Sequence, residues 1–393
     1  MCNWRDDGFN IAQKSGTDNQ QAARFVIDTT LSTEQELVIL LSHPGDDEDL
    51  AARCETLLNG RVDMDALIRI ATHEGVVVLI YRQLQRLGFP GASQAHTRSL
   101  RAVCASVAQR NRALCGVQFE LLRAFDTAEL AVMPYKGAAL SQQLYGDVNV
   151  RLFNDIDILV RQRDRQRAHA VLLDLGCTLD VRPDNVMTRQ ADSHEHRYRL
   201  PGRGQHPDVF VDLHTDFTPP HFRVALDPWS LPRCELQLDM GVLRHWADDA
   251  LLLLLCVHGG KDRWSKLAWV SDLATLLARP TLNPHNSMAL AENAGARNLL
   301  LLGLGIARRV YGSALADDLC KAIDTHRDVQ VELRRFGQRC FVNDRQPYLE
   351  VLRGRARLRE RLPDKARVYA HALNFLYHRV RGKIGHGDPG ATA

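Results

Sequence analysis

Asp155 and Asp157 lie in the run Phe153 to Val160, where acidic and apolar residues alternate. A strand turns successive side chains to opposite faces, so the two acids share one face while Ile156, Ile158 and Val160 take the other. Carboxylates held that close repel unless a positive charge stands between them, and a divalent cation is the usual one. Magnesium favours hard oxygen ligands and leaves part of its shell to water and phosphate oxygens. A third acid completes such a set. Asp208 to His214 alternates in the same way, with Val209, Val211 and Leu213 on one face and Phe210, Asp212 and His214 on the other. Asp212 is the expected third ligand, and Mg²⁺, as one ion or two, the expected cofactor.

The elements around these acids decide what they could act on. A short apolar run ends at Lys136 and Gly137, and Ala138 to Tyr145 then reads as a helix closed by Gly146. Gly137 therefore stands where a strand turns into a helix. Free backbone N–H groups and the positive end of the helix dipole make such a turn a phosphate site, and a residue without Cβ lets an oxygen approach closely. Residues 162–174 carry helix spacing, and 177–200 form the next strand region. There His194-Glu195-His196 invites a zinc reading, with both histidines on one strand face. No cysteine or further histidine stands at a recognisable ligand spacing, so the three read as polar strand residues near the cleft. His258, Lys261 and Asp272 lie about the turn between two strongly apolar helices. They form either a wall of the cleft or an ordinary polar helix junction, and His214 can join that wall.

Composition limits the classes. The 393 residues are enough for a sizeable core and for more than one unit. Fifty basic residues nearly cancel 47 acidic ones, so a net charge of +3 is too small by itself to argue for nucleic acid, which is not the expected partner. Basic residues gather from Arg353 to Lys383, which reads as a solvated helix face or as a surface for an anionic partner. Nine cysteines, spread singly with no C-x-x-C pair, imply a reduced cytoplasmic chain. No apolar run approaches membrane-spanning length. Residues 1–30 are polar and aperiodic and read as a disordered tail. Residues 31–128 read as an N-terminal helical subdomain, 129–218 as an α+β palm built on a small mixed sheet, and 219–393 as a C-terminal helical subdomain with a basic end. The proline-rich stretch from Pro219 to Asp239 reads as an irregular connection, with helices from there to the end.

The Gly turn, the Asp-x-Asp strand and a later strand with a single Asp resemble the nucleotidyltransferase superfamily whose palm is shared with DNA polymerase beta. More narrowly, Lys136-Gly137, Leu144-Tyr145-Gly146-Asp147, Arg151 to Val160, Val211 to His214 and the helical segment from His258 to Leu273 resemble the bacterial uncharacterised nucleotidyltransferase family, over about residues 33–384. The superfamily usually carries a serine after the turn glycine, where this chain has Ala138. The resemblance then passes phosphate holding to Lys136, Arg151 or backbone groups. It implies an Mg-dependent nucleotidyltransferase that moves NMP from an NTP to an acceptor hydroxyl and releases pyrophosphate, with Asp155, Asp157 and Asp212 as metal ligands. The acceptor is a small molecule, a peptide or a protein. Two rivals stand beside it: a non-catalytic nucleotide- or partner-binding protein with the same fold, and a kinase-like phosphotransferase.

Overall fold

The computed structural model describes residues 31–45, 47–180, 194–202, 207–341 and 347–384. The expectation for residues 1–30 lies outside them, as do the side chains of Arg379, Arg381 and Lys383 in the basic end. Five helices come first: α1 (Thr33–Leu41), α2 (Glu48–Leu58), α3 (Met64–Glu74), α4 (Val77–Arg86) and the long α5 (Gln94–Thr127). Local chemistry sets their starts. Ser32 and Gln35 cap each other's backbone ahead of α1, and the Asp63 carboxylate accepts from the Ala66 N–H ahead of α3.

Strand and helix then alternate through β1 (Val132–Pro134), α6 (Gly137–Tyr145), β2 (Asp155–Val160), α7 (Arg165–Asp174), β3 (Thr178–Leu179), β4 (Glu195–Leu200) and β5 (Val209–His214). These strands form one sheet in the order β1-β2-β5-β4-β3. Among the described strands the β2–β5 pair alone is parallel, so the sheet is mixed. Ile156, Ile158 and Val160 of β2, Val211 and Leu213 of β5, and Tyr198 of β4 pack on one face with Leu114, Phe119 and Phe125 of α5 and Ala168 and Leu172 of α7. Burial of that face fixes the register, because a slip by one residue would turn the acids into this core.

The stretch from Pro219 to Asp239 is irregular as far as Pro232, apart from one 3-10 turn at Pro220–Phe222, but its end is strand, and a second strand rather than a helix follows it. Arg233–Leu238 (β6) and Gly241–Trp246 (β7) form an antiparallel hairpin with Leu238 opposite Gly241. Arg233, Glu235 and Gln237 alternate with Cys234, Leu236 and Leu238 as strictly as the residues of β2 do, and it is the prolines upstream, ending at Pro232 one residue before the strand, that mask the signal. Gly241 has φ +142°, and a Cβ on it would sit 3.0 Å from the Phe119 ring, so the hairpin lies close against α5.

Among the described residues eight helices follow: α8 (Asp248–Lys261), α9 (Leu267–Leu277), α10 (Pro284–Ala294), α11 (Arg297–Tyr311), α12 (Asp317–Thr325), α13 (Arg327–Arg339), α14 (Tyr348–Arg357) and α15 (Leu362–Ile384). The result is α+β, a small mixed sheet set among helices that precede and follow it. Helices from both ends share one core: Leu37 to Leu41 of α1 are all buried in the same cluster as Leu251, Val270, Leu301 and Val310. Tyr311 links them directly, its hydroxyl 2.8 Å from Ser42 Oγ and 2.6 Å from Ser271 Oγ, and its carbonyl oxygen 2.9 Å from His43 Nε2.

The described part of the basic end is not a solvated face throughout. Arg359 is buried, donates to the Arg223 carbonyl and pairs with Asp364, and Arg357 pairs with Glu332. These guanidiniums hold α14 and α15 to the body of the molecule. Among the described residues no helix is long and apolar enough to cross a membrane, and the eight described cysteines are free.

Candidate functional site

The acids stand on the sheet face opposite the α5 packing. Asp157 is the register partner of Asp212 on the adjacent parallel strand, and Asp155 lies two residues back on the same face. On the other side of β5, Arg197 is the partner of Asp212 and Glu195 the partner of His214, so these side chains join the same face. Arg197 is the residue that the sequence reading did not single out. Its Nε and terminal nitrogen reach Asp212 at 2.7 and 2.5 Å, and the same terminal nitrogen reaches Asp155 at 3.0 Å. The signal was the alternation Glu195, Arg197, Arg199 against His196, Tyr198, Leu200.

Charge is balanced unevenly across the set. Burial pushes the Asp155 carboxyl up to about 6, with Asp157 and Asp212 adding to the rise and Arg197 opposing it. Burial would raise Asp157 as well, but the Lys136 ammonium 3.8 Å from its Oδ1 and the His214 ring outweigh that and hold it well below the usual carboxylate range. His214 Nε2 is 2.8 Å from Asp157 Oδ1. An ionised carboxylate can only accept, so Nε2 carries the proton. Hydrogen bonds to Asp212 push the Arg197 guanidinium up, and it stays charged.

Lys136 and Gly137 form the turn expected at the strand-to-helix junction. Gly137 has φ +55°, in the left-handed region that glycine enters most easily. Among the described residues no side chain caps the first turn of α6, and uncapped N–H groups at a helix N-terminus, with the dipole, favour an anion. Lys136 Nζ also lies 4.7 Å from the Tyr135 ring centre, and the Tyr135 ring meets His214 edge-on at 5.3 Å.

Arg151 sits apart from the acids. Its Nε lies 2.9 Å from both oxygens of Asp272, which also accepts from the Tyr145 hydroxyl at 2.9 Å. Burial raises the Asp272 carboxyl, with Arg151 opposing. The loop that delivers Arg151 is pinned from behind, since Asn111 donates to the carbonyls of Val148 and Arg151 at 2.8 and 2.7 Å. Lys136, Arg151, His258 and Asp272 line one cavity with Trp269, whose ring lies 4.9 Å from that of His258. Burial, reinforced by Lys136 and Lys261, keeps His258 neutral. Lys261 does not line this cavity, its ammonium lying 3.4 Å from Asp262. A second cleft of about 300 Å³ opens beside it over Arg151 and Asp272, walled by His73, Glu74, Asn154 and Lys266, a volume at the lower end of small-ligand sites.

His194 and His196 do not share a face as the sequence reading had it, because β4 begins at Glu195 and His194 stands at the bend before it. His196 pairs with Leu213 on the α7 side. His194 instead meets Glu195 and His214, with one ligand atom from each lying within 4.8 Å of the others. Burial and His214 push His194 down to about 3. Asp157, Asp212 and His214 meet the same distance criterion.

The donor chemistry of the acidic set fits magnesium. It offers carboxylate oxygens from two adjacent strands, with Asp157 the register partner of Asp212 and Asp155 two residues back on the same face.

The family described as "Uncharacterised nucleotidyltransferase" matches residues 60–312, a narrower span than the resemblance read from the motifs, and the chain belongs to that family. A solved structure described as an antigenic nucleotidyltransferase-like protein from Paracoccidioides brasiliensis is similar at 14% identity, covering 55% of this chain and 91% of that one with a TM-score of 0.36. Comparison with curated proteins gave no match.

Proposed function

We propose that this member of the uncharacterised nucleotidyltransferase family transfers NMP from an NTP to an acceptor hydroxyl and releases pyrophosphate. The observation that carries the reading is the direct pairing of Asp157 with Asp212 beside the Lys136–Gly137 turn. Asp155, Asp157 and Asp212 are the residues to hold Mg²⁺, as one ion or two, which when bound supplies charge neutralisation at the phosphates and lowers the pKa of an oxygen nucleophile.

The chain's own residues do the rest. Lys136 and the first N–H groups of α6 bind the phosphates, where an ammonium and a helix dipole both favour negative charge. Arg151 acts from the adjoining wall, held in place by Asp272. His214 holds the Asp157 carboxylate in one orientation through its Nε2–H. The reaction is then chiefly positioning and charge compensation. The acceptor is a small molecule, a peptide or a protein, and the setting is cytoplasmic.

Arg197 favours a second reading, because it already occupies oxygens of Asp155 and Asp212. In that reading the chain binds nucleotide without turnover. Product analysis of the full-length protein with each NTP, Mg²⁺ and candidate acceptors separates the readings. Pyrophosphate and an NMP-bearing acceptor support the proposal, whereas NDP indicates a kinase and binding without either product indicates a non-catalytic protein. Asp157→Ala should abolish transfer, and full transfer in that variant overturns the assignment.

A further inference from the structure

His214 uses one ring nitrogen on Asp157 and, among the described residues, leaves the other without a hydrogen-bond partner. Nε2–H donates to Asp157 Oδ1 at 2.8 Å, so in the neutral ring Nδ1 carries a lone pair. The residue is 4% exposed, and no described residue hydrogen-bonds Nδ1. A buried lone pair in that position needs a proton donor or a cation. What faces it is Glu195 Oε2 at 3.7 Å, beyond hydrogen-bond reach. The same Oε2 lies 4.0 Å from His194 Nε2. Two imidazole nitrogens and a carboxylate oxygen thus converge on one point.

We propose that His194, Glu195 and His214 bind a divalent transition-metal ion of the zinc class, at a site separate from the three aspartates. Ligand type decides the class: magnesium takes oxygen, whereas imidazole with a carboxylate suits zinc and its first-row neighbours. Spacing agrees. Ligands about 2.0–2.2 Å from a tetrahedral zinc stand roughly 3.3–3.6 Å apart; the two separations from Glu195, 3.7 and 4.0 Å, close on an ion with movements of a few tenths of an ångström, and the two histidine nitrogens lie within 4.8 Å of each other. Asp157 is placed to act behind the site. A ligating histidine ordinarily gives its other N–H to a carboxylate, which fixes its tautomer and strengthens its donor nitrogen, and the Asp157–His214 bond has that form. Three protein ligands leave a position open to water or to a substrate oxygen. Because Glu195 and His214 are register partners on the face that carries Asp157 and Asp212, that position opens beside the acidic set.

The test needs no nucleotide, so it stands or falls apart from the transfer reaction. Full-length protein stripped with a chelator is titrated with Zn²⁺ by calorimetry, and separately with Co²⁺ while the visible spectrum is followed. One ion should bind per chain, with the visible bands of a low-coordinate nitrogen and oxygen site. His194→Ala and Glu195→Gln should each weaken it by at least about tenfold, with the circular dichroism of the metal-free variants unchanged. His371→Ala, altering a ring that stacks on His221 elsewhere, should bind as the wild type does. Absence of Zn²⁺ binding overturns the proposal and leaves a proton between His214 and Glu195. Binding equally tight in His194→Ala and Glu195→Gln also overturns it, assigning the ion to other histidines or to the cysteines.

Discussion

Arg197 bridges Asp155 and Asp212, its terminal nitrogen 3.0 Å from one carboxylate and 2.5 Å from the other. An arginine thereby holds oxygens that magnesium would use, so the guanidinium and the ion are expected to compete for them. Arg197→Gln should therefore act in opposite directions on two measurements. It leaves Asp212, 3% exposed, without its countercharge, which costs about 3–5 kcal/mol when one partner of a buried pair is removed. It also frees the acids for metal. Thermal unfolding should show a lower midpoint in chelator and a larger Mg²⁺-dependent rise than in the wild type. Equal Mg²⁺ shifts in the two proteins would mean that the arginine and the ion do not compete.

Asp155 gives the pH dependence. Its folded pKa, about 6, exceeds the ordinary 3.8, so the folded chain binds the extra proton and stability from this group falls as pH rises from about 4 to about 6. A bound cation reverses the preference and favours the carboxylate. Mg²⁺ binding near pH 6 should release protons, read as a dependence of the calorimetric heat on the ionisation enthalpy of the buffer. The release should vanish in Asp155→Asn.

Lys136 and Arg151 each pair with a buried aspartate. Lys136→Ala should weaken NTP binding, increasingly with the number of phosphates, and lower the unfolding midpoint at neutral pH, since the ammonium 3.8 Å away is the main charge that holds buried Asp157 ionised. Arg151→Ala should weaken NTP binding too, and it strips the main countercharge from buried Asp272 and should also destabilise the fold by about 3 kcal/mol. Arg151→Ala combined with Asp272→Asn should recover most of that stability without recovering affinity. Calorimetry with unaltered NTP affinity in both single variants would remove these residues from the phosphate site.

Tyr311→Phe deletes a hydroxyl that Ser42 and Ser271 both contact. Leaving those buried groups short of a partner should cost about 1–3 kcal/mol. Chemical denaturation should show the whole transition moving to lower denaturant, because the hydroxyl joins helices from both ends of the chain.

Much of the site could be read from residue order, and what could not has a common cause. Asp155, Asp157, Asp212 and His214 lie on strands whose alternation gives their face directly, and one face was enough to group them. The sequence carries no register, so the pairing of Asp157 with Asp212 required the fold. Arg197 showed the same alternation but carried no motif, and its role appears only when β4 lies beside β5. His194 was grouped with His196 on the assumption that the strand began early. A start one residue later separates them and gives His194 to a histidine 20 positions downstream. Arg151 was legible as a cation near the turn, but its partner Asp272 lies 121 residues on, a distance at which local pattern says nothing. The β6–β7 hairpin was hidden by the prolines before it, whose turn signal outweighed a short alternation.

The shared core sets a schedule for synthesis. Five consecutive residues of α1, Leu37 to Leu41, are buried, and Ser42 finds its partner Tyr311 only 269 residues later. At about 5–20 residues per second, those 269 residues take about 13–54 s to make. Over that interval α1 packs against α2, α3 and α4, which follow it directly, and its edge toward α11 waits for the later helices. A chain stopped after the sheet would hold every aspartate of the acidic set and still lack the residues that close this edge.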